Sequence, residues 1–210
     1  IVMPDADMDN VVNSLLGAAF GSCGERCMAL SVAVAVGDQV ADQLVAKLKD
    51  AMGSLKVGIY EEQSNDFGQT ITGEHQARVI GHIDSAEDQG ARVVVDGRHL
   101  TVPGYEQGFF VGATLIDGVT AEMDSYKAEI FGPVLQVVRA GSMEEAMKLI
   151  NDHEYGNGTC IYTRDGEAAR YFSDGIQVGM VGINIPLPVP VAYHSFGGWK
   201  RSLFGDLHAY

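Results

Sequence analysis

The sequence predicts an α/β fold in which a doubly wound, mostly parallel sheet is flanked by helices. Two observations lead to this prediction. Short segments rich in β-branched residues alternate with segments of helical hydrophobic periodicity, and this alternation is typical of parallel strands joined by helical crossovers. In addition, no internal repeat and no convincing linker divides the 210 residues, so we predict a single domain over residues 1–210.

The helices are predicted from apolar residues that recur at helical spacing, in residues 7–20, 38–48, 74–89, 142–150 and 165–173. Asp38 and Asp165 are predicted as N-caps because a short acidic side chain can accept from the free N–H groups of a first turn. Ser142 and Glu145 have the spacing of a capping box. Gly90 follows the third helix where a C′ glycine is expected.

The strands are predicted in residues 30–36, 91–95, 109–116, 134–138, 158–163 and 179–185. Residues 60–68 are polar and are predicted to form a surface loop. Beyond the last strand, Pro186, Pro188 and Pro190 exclude regular structure because proline lacks a backbone N–H.

Composition and charge exclude several classes of function. The chain has 14 Lys+Arg and 28 Asp+Glu, a formal net charge of −14, and no basic run, which argues against nucleic acid or an anionic membrane as the main partner. No apolar stretch reaches the roughly 18 residues that span a bilayer. The 3 cysteines are an odd number, which favours a reducing, cytoplasmic location over a disulfide framework. No Cys/His group has zinc-site spacing, so we expect no metal.

Cys27 is the candidate nucleophile. It follows a glycine-bearing turn, Gly24-Glu-Arg26, and directly precedes a predicted strand. A thiol there would lie at a sheet edge beside backbone N–H groups, with Arg26 close enough to favour the thiolate. Taken alone, these residues leave a second interpretation open, in which Cys27 is a small buried hydrophobic residue.

Two motifs together resemble the signatures of the aldehyde dehydrogenase superfamily. Phe20-Gly-Ser-Cys-Gly-Glu-Arg-Cys-Met28 is similar to its active-site cysteine signature, and Glu129-Ile-Phe-Gly-Pro-Val134 is similar to its second signature. The segments that resemble the CoA-acylating methylmalonate (malonate) semialdehyde dehydrogenases are residues 24–29, 126–140, 149–159 and 195–206. The likeness covers nearly all of the chain and corresponds to the catalytic domain, without most of the N-terminal cofactor-binding part.

The resemblance implies a mechanism and a role for four residues. The Cys27 thiolate would attack an aldehyde, a hydride would pass to NAD, and coenzyme A would accept the acyl group from the resulting thioester; decarboxylation would yield acetyl-CoA or propionyl-CoA. Glu129 matches the glutamate that hydrogen-bonds the nicotinamide ribose, and Phe131 would bound the nicotinamide pocket. Arg26 is our candidate for the substrate carboxylate, since a guanidinium suits a carboxylate geometrically; a charge that only favours the thiolate, or a plain surface charge, is the alternative.

The resemblance also implies what this chain lacks. The asparagine that completes the oxyanion hole, and the residues that hold the adenosine half of NAD, would lie upstream of Ile1. We therefore expect these 210 residues alone to fold but not to turn over, and the longer parent to form a homotetramer. The alternatives are a hydrolytic aldehyde dehydrogenase, a non-catalytic remnant that retains only the fold and oligomer contacts, and, more distantly, a cysteine hydrolase. Cys23, just upstream of Cys27, is expected to be a packing residue, with a resolving thiol as the second possibility.

Overall fold

The computed structural model describes residues 1–206. Residues 207–210, the end of the predicted domain, lie outside the described residues. The helices are α1 (Met8–Phe20), α2 (Asp38–Met52), α3 (Gly73–Asp88), α4 (Asp124–Lys127), α5 (Met143–Asp152) and α6 (Gly166–Gly175). The strands are β1 (Val32–Val36), β2 (Arg92–Val95), β3 (Thr114–Asp117), β4 (Val134–Ala140), β5 (Tyr155–Gly156), β6 (Gly158–Ile161), β7 (Met180–Ile183) and β8 (Trp199–Lys200).

The main sheet has the strand order β1-β4-β3-β2. β1 and β3 pair in parallel with the central strand β4, and only β2, at the edge, is antiparallel to its neighbour. A second parallel pair, β6 and β7, continues the sheet through residues 1–3. Val2 forms parallel bridges to both Ala35 and Tyr162, so the first residues fill the gap between β1 and the strand pair.

Both faces of β4 are buried, as a doubly wound sheet requires. Leu135 and Val137 face a core that includes Leu15 of α1 and Leu44 of α2. Val134 and Val138 point to the opposite core, which includes apolar residues of α3, α5 and α6. The predicted α/β class, with helices on both faces of a mostly parallel sheet, is therefore confirmed.

The helix caps confirm most of the predicted boundaries. The Asp165 side chain accepts from the N–H groups of Glu167 and Ala168, and Ser142 accepts from that of Glu145. The carboxylate of Glu145 bonds the N–H of Gly141, 2.7 Å away. Gly90 adopts a φ of +100°, the left-handed conformation expected of a C′ glycine.

One predicted cap is wrong, and one predicted strand begins too early. Gly37, with a φ of 95°, is the N-cap of α2, and Asp38 is the first residue inside the helix. Asp38 still places a negative charge in the first turn, where the helix dipole favours it. β3 begins at Thr114, because Phe109 pairs with the loop residue Thr70 through a backbone bond of 3.0 Å.

Three short elements, α4, β5 and β8, were not predicted. The helix has 4 residues and each strand has 2. Segments this short are not long enough to show a periodic pattern of apolar residues. β8 pairs antiparallel with β5, and the amino group of Lys200 donates to the carbonyls of Ile150, Asn151 and His153. This cluster fixes the segment after Pro190 onto the end of α5. Within residues 1–206, no helix is long and apolar enough to cross a membrane.

Candidate active site

A left-handed turn carries the chain from α1 to Cys27. Ser22, Cys23 and Gly24 have φ values of 56°, 58° and 68°, a conformation that costs L-residues with side chains free energy. Gly24 is required here for a second reason. A Cβ atom added to it would lie 2.1 Å from the carbonyl oxygen of Gly132, so only glycine allows this approach.

This glycine contact brings the two sequence motifs together. Gly24 belongs to the cysteine motif and Gly132 to the motif that begins at Glu129, and their backbones touch without an intervening side chain. Gly132 is itself confined, since an added Cβ would lie 2.6 Å from a methyl group of Val79 on α3. The relative position of the two motifs is therefore set by backbone contact and by the helix behind it.

The three cysteines have different surroundings. Cys27 is exposed, whereas Cys23 and Cys160 are buried. Burial, together with the charge of Glu25, raises the pKa of the Cys23 thiol to about 12, and burial also raises the pKa of Cys160. Cys23 is therefore a packing residue, and its buried thiol is not available as a resolving thiol in this conformation.

Cys27 and Glu129 line the same cavity, which has a volume of about 480 Å³. Its walls include the segment from Met28 to Val34, the end of α4, the β5–β6 region and Pro186 and Pro188. The backbone carbonyl of Cys27 accepts a hydrogen bond of 3.2 Å from the side-chain amide of Asn157, another wall residue. A volume of this size is typical of small-molecule sites.

Arg26 and Phe131 are not among the walls of this cavity. Arg26 is exposed, and its guanidinium packs over Gly21, where an added Cβ would lie 2.8 Å from either terminal nitrogen. Among residues 1–206 no carboxylate lies within 4 Å of it. Phe131 has a φ of 58° and a ring that is 36% exposed. Of the four predicted residues, Cys27 and Glu129 thus line the cavity, and Arg26 and Phe131 do not.

Three further residues lie beside this site and are not predicted from the sequence: Glu25, Ile71 and His75. The Glu25 carboxylate accepts from the backbone N–H of Ile71 at 3.1 Å and lies 3.2 Å from Nε2 of His75. The same ring nitrogen lies 2.7 Å from the carbonyl oxygen of Phe131. Glu25 could have been noticed as a neighbour of Cys27, but no sequence signal distinguishes His75 from other histidines.

No group of three or more His, Cys, Asp or Glu side chains within residues 1–206 is arranged to hold a metal ion. The cavity walls hold the Cys27 thiol and the Glu129 carboxylate, and Arg26 is next to Cys27 in sequence. A thiol of this kind can form a covalent bond to an electrophilic carbon and can later leave as thiolate.

Comparisons with known proteins point to one family. The model of the aldehyde dehydrogenase family matches residues 1–209. A malonate-semialdehyde dehydrogenase of Pseudomonas aeruginosa is 68% identical over 210 residues, which are 100% of this chain and 42% of that protein. Malonate-semialdehyde dehydrogenase 1 of Geobacillus thermodenitrificans is 48% identical, again over 100% of this chain and 43% of its own length.

Solved structures give the same result. The crystal structure of a methylmalonate-semialdehyde dehydrogenase from Oceanimonas doudoroffii superposes with a TM-score of 0.97 at 75% identity, over 100% of this chain and 43% of that one. Betaine aldehyde dehydrogenase from Staphylococcus aureus in complex with NAD+ superposes with a TM-score of 0.92 at 26% identity, over 99% and 41%. The chain thus spans less than half the length of these relatives. Because the family match runs through both motifs and nearly every residue, the chain belongs to the aldehyde dehydrogenase family.

Proposed function

We propose that this chain provides the catalytic cysteine of an NAD-dependent, CoA-acylating dehydrogenase that oxidises malonate or methylmalonate semialdehyde. The observation that carries the proposal is the shared cavity of Cys27 and Glu129, set by the glycine contact between their motifs. The 68% identity to a malonate-semialdehyde dehydrogenase supports the choice of substrate class. In this proposal the chain performs its reaction together with the cofactor-binding part found in the longer relatives.

The residues at the second motif fit a nicotinamide cofactor. Glu129 is exposed and lines the cavity, and a carboxylate accepts hydrogen bonds from a vicinal diol such as a ribose. Phe131 presents a half-open aromatic face beside it. When bound, NAD supplies the hydride acceptor. Glu129 would hold the ribose, and Phe131 would limit the movement of the adjoining ring.

Cys27 would carry the covalent steps. Its thiolate attacks the aldehyde carbon to form a thiohemiacetal, which becomes a thioester on the sulfur once the hydride has left. The thiol of coenzyme A then takes the acyl group and Cys27 leaves as thiolate, which a serine alkoxide would do far less readily. Loss of CO₂ from the carboxylated acyl group, with a proton from water taking its place on the carbon, gives acetyl-CoA or propionyl-CoA.

Arg26 would bind the substrate carboxylate. Its guanidinium adjoins Cys27 in sequence and has no carboxylate partner among residues 1–206, so a bidentate ion pair remains available to a ligand. Arg26→Lys keeps the charge but loses the planar fork. Because a charge-assisted hydrogen bond is worth roughly 1.5–3 kcal/mol, kcat/KM for the semialdehyde should fall about tenfold or more. Propionaldehyde, which has no carboxylate, should be affected much less, and equal losses on the two aldehydes would contradict this role.

The decisive experiment measures NADH formation from malonate semialdehyde by the full-length gene product that contains these residues, with and without coenzyme A. Steady turnover that requires coenzyme A, with acetyl-CoA as product, is the expected result. Turnover that does not require it would identify a hydrolytic aldehyde dehydrogenase instead. No NADH under either condition would favour a non-catalytic role.

The 210-residue chain by itself should bind NAD weakly. A single hydrogen bond contributes roughly 0.5–1.5 kcal/mol, whereas a site of about 100 μM affinity requires roughly 5–6 kcal/mol. Calorimetric titration of this chain should show no saturable binding below that concentration. Saturable binding, or turnover by the 210 residues alone, would mean that the cofactor site is more complete than proposed.

The proposal includes a homotetramer in the cytoplasm. The three cysteines form no disulfide with one another, which fits a reducing compartment. Light scattering on the full-length gene product should give the mass of four chains, and a monomer at micromolar concentration would contradict the proposed assembly.

A further inference from the structure

His75 lies in the first turn of α3, where Thr72 is the N-cap. Its side chain is only 10% exposed, although it sits at the end of a helix. One ring nitrogen, Nε2, lies 2.7 Å from the carbonyl oxygen of Phe131 and 3.2 Å from the carboxylate of Glu25. One imidazole therefore contacts both the turn that carries Cys27 (residues 22–27, the cysteine turn) and the motif that begins at Glu129.

Arg78, on the other side of the ring, determines which ring nitrogen carries the hydrogen. The guanidinium nitrogens of Arg78 lie 3.1 Å and 3.4 Å from Nδ1 of His75. A guanidinium has only donors, so Nδ1 must accept and Nε2 must carry the hydrogen. That hydrogen is donated to the carbonyl oxygen of Phe131, and the Glu25 carboxylate lies 3.2 Å from the same nitrogen. Arg78 also approaches the carbonyl of Ile130 at 3.4 Å, which ties the same helix to the same motif a second time.

Both contacts of Nε2, one with a backbone carbonyl and one with a side-chain carboxylate, are made to residues outside regular secondary structure. Phe131 holds a left-handed φ of 58°, a conformation that persists in non-glycine residues only where the surroundings over-determine it. Residues 25–31 belong to no helix or strand. Glu25 is anchored by His75 and by the N–H of Ile71, and Asn157 holds the carbonyl of Cys27 from the cavity side.

We propose that His75 is a positioning residue, whose Nε2–H fixes the cysteine turn and the 129–134 motif relative to each other. This proposal rests on the proposed function, since it assigns a task to the placement of Cys27 against the cofactor motif. A displacement of about 1 Å between reacting groups can cost about a hundredfold in rate. A ring that donates to Phe131 and lies against the Glu25 carboxylate restricts such displacement without touching substrate.

Two conservative substitutions separate positioning from packing. In His75→Gln the amide N–H occupies the place of Nε2, so the donor to Phe131 remains. In His75→Asn the side chain reaches only as far as Nδ1, so the acceptor for Arg78 remains and the donor is lost. His82→Gln, a half-buried histidine farther along α3, is the matched control. Thermal unfolding of each variant confirms that it is folded.

Steady-state kinetics of the full-length gene product give the first readout. His75→Asn is expected to raise KM for NAD about tenfold, the equivalent of one lost net hydrogen bond, and to lower kcat by about tenfold or more. His75→Gln and His82→Gln should stay within about threefold of the unmodified protein, since their donor geometry at Phe131 is retained. A substitution that only destabilised the fold would lower the fraction of active enzyme, and with it the apparent kcat, but would leave KM for NAD unchanged. Equal effects of Asn and Gln at position 75 would overturn the proposal.

A second readout does not depend on turnover. The rate at which iodoacetamide alkylates Cys27, followed by peptide mass spectrometry, should change in His75→Asn and remain unchanged in His75→Gln and His82→Gln. If the unmodified protein forms no NADH but this pattern is observed, the positioning role stands and the proposed function fails. If Cys27 is alkylated at the same rate in every variant, the positioning role fails. Should His75→Asn not fold, Glu25→Ala and Glu25→Gln form the replacement pair, and only Glu25→Ala, which removes the acceptor, should alter the rate.

Discussion

The centre of the sheet and the turn that carries Cys27 are held in place by different means. In β4, Leu135 and Val137 are buried on one face and Val134 and Val138 on the other, and main-chain bonds to β1 and β3 set the register. The cysteine turn has three left-handed residues, an exposed thiol and side-chain contacts that reach it from α3 and the β5–β6 region. The sheet is therefore stabilised by buried apolar side chains and by repeated main-chain hydrogen bonds, whereas the turn is stabilised by a few individual side-chain contacts.

Because of this difference, we expect substitutions in the sheet to affect stability and substitutions in the turn to affect activity. Removing volume from the sheet should unfold the protein, with little specific effect on the site. Changes in the turn should affect the reaction more than the fold, unless they touch the glycine contact that joins the two motifs. Substitutions in each region test this division.

Cys27→Ser should abolish activity and leave stability unchanged. Loss of a covalent nucleophile costs at least about 10³-fold in kcat/KM, and a serine hydroxyl does not replace a thiolate in forming and releasing the acyl group. Because Cys27 is exposed, the midpoint of thermal unfolding should not move. NADH assays of the full-length gene product and calorimetry check the two parts. Cys23→Ser is the matched control, since that thiol is buried, and substantial activity in Cys27→Ser would remove Cys27 from the mechanism.

Leu135→Ala should have the opposite profile. Leu135 is 0% exposed and lies in the central strand, so its truncation should lower the free energy of unfolding by about 2–5 kcal/mol through lost burial and a residual cavity. Urea denaturation measures this loss, and the fraction that remains folded should retain its KM for NAD. A loss below about 1 kcal/mol would show that the sheet centre repacks more readily than expected.

Gly24→Ala should affect both regions at once. The added Cβ would lie 2.1 Å from the carbonyl oxygen of Gly132, and the φ of 68° is unfavourable for alanine. Since both effects act on backbone, we expect a loss of about 1–3 kcal/mol in unfolding free energy together with loss of activity. Gly17→Ala in α1 is the matched control. Nothing lies within 4 Å of the added methyl group there, so helix propensity should raise stability by about 0.5–1 kcal/mol.

Asp117→Asn tests a charge at the end of the sheet. Burial alone would raise the pKa of Asp117, but hydrogen bonds from Arg139 and Arg92 outweigh it and hold the pKa below its ordinary value. The ionised carboxylate therefore stabilises the fold above its unfolded pKa of about 3.9, and this contribution is lost as the pH falls through the lower folded pKa.

At neutral pH the Asn variant should be about 1–3 kcal/mol less stable, because three charge-assisted bonds from two arginines are weakened. The difference between the two proteins should shrink in acid, below about pH 4, as the unmodified carboxylate takes up its proton. Urea titrations at neutral and acidic pH measure it. A difference that does not depend on pH would mean that lost packing, and not the charge, accounts for the effect.

Much of the fold and part of the site were accessible from the sequence alone. Apolar periodicity located α1, α3 and α5, and β-branched runs located β1 and β4, because burial on one or two faces leaves a repeating pattern. Asp165, Ser142 and Gly90 marked helix ends correctly, since capping is a local interaction between near neighbours. The two motifs, through their resemblance to the aldehyde dehydrogenase signatures, single out Cys27 and Glu129.

The contacts between the two motifs follow from the tertiary structure and not from the sequence pattern. The approach of Gly24 to Gly132 and the contacts of His75 with Phe131 and Glu25 join residues that are distant in sequence. The position of the Arg26 guanidinium over Gly21 depends on a side-chain rotamer. The elements that escaped prediction, α4, β5 and β8, likewise depend on neighbours supplied by other parts of the chain. Local sequence determines caps and periodic burial because those interactions span a few residues. Contacts between distant segments depend on the packing of the whole sheet and its helices, which no short pattern records.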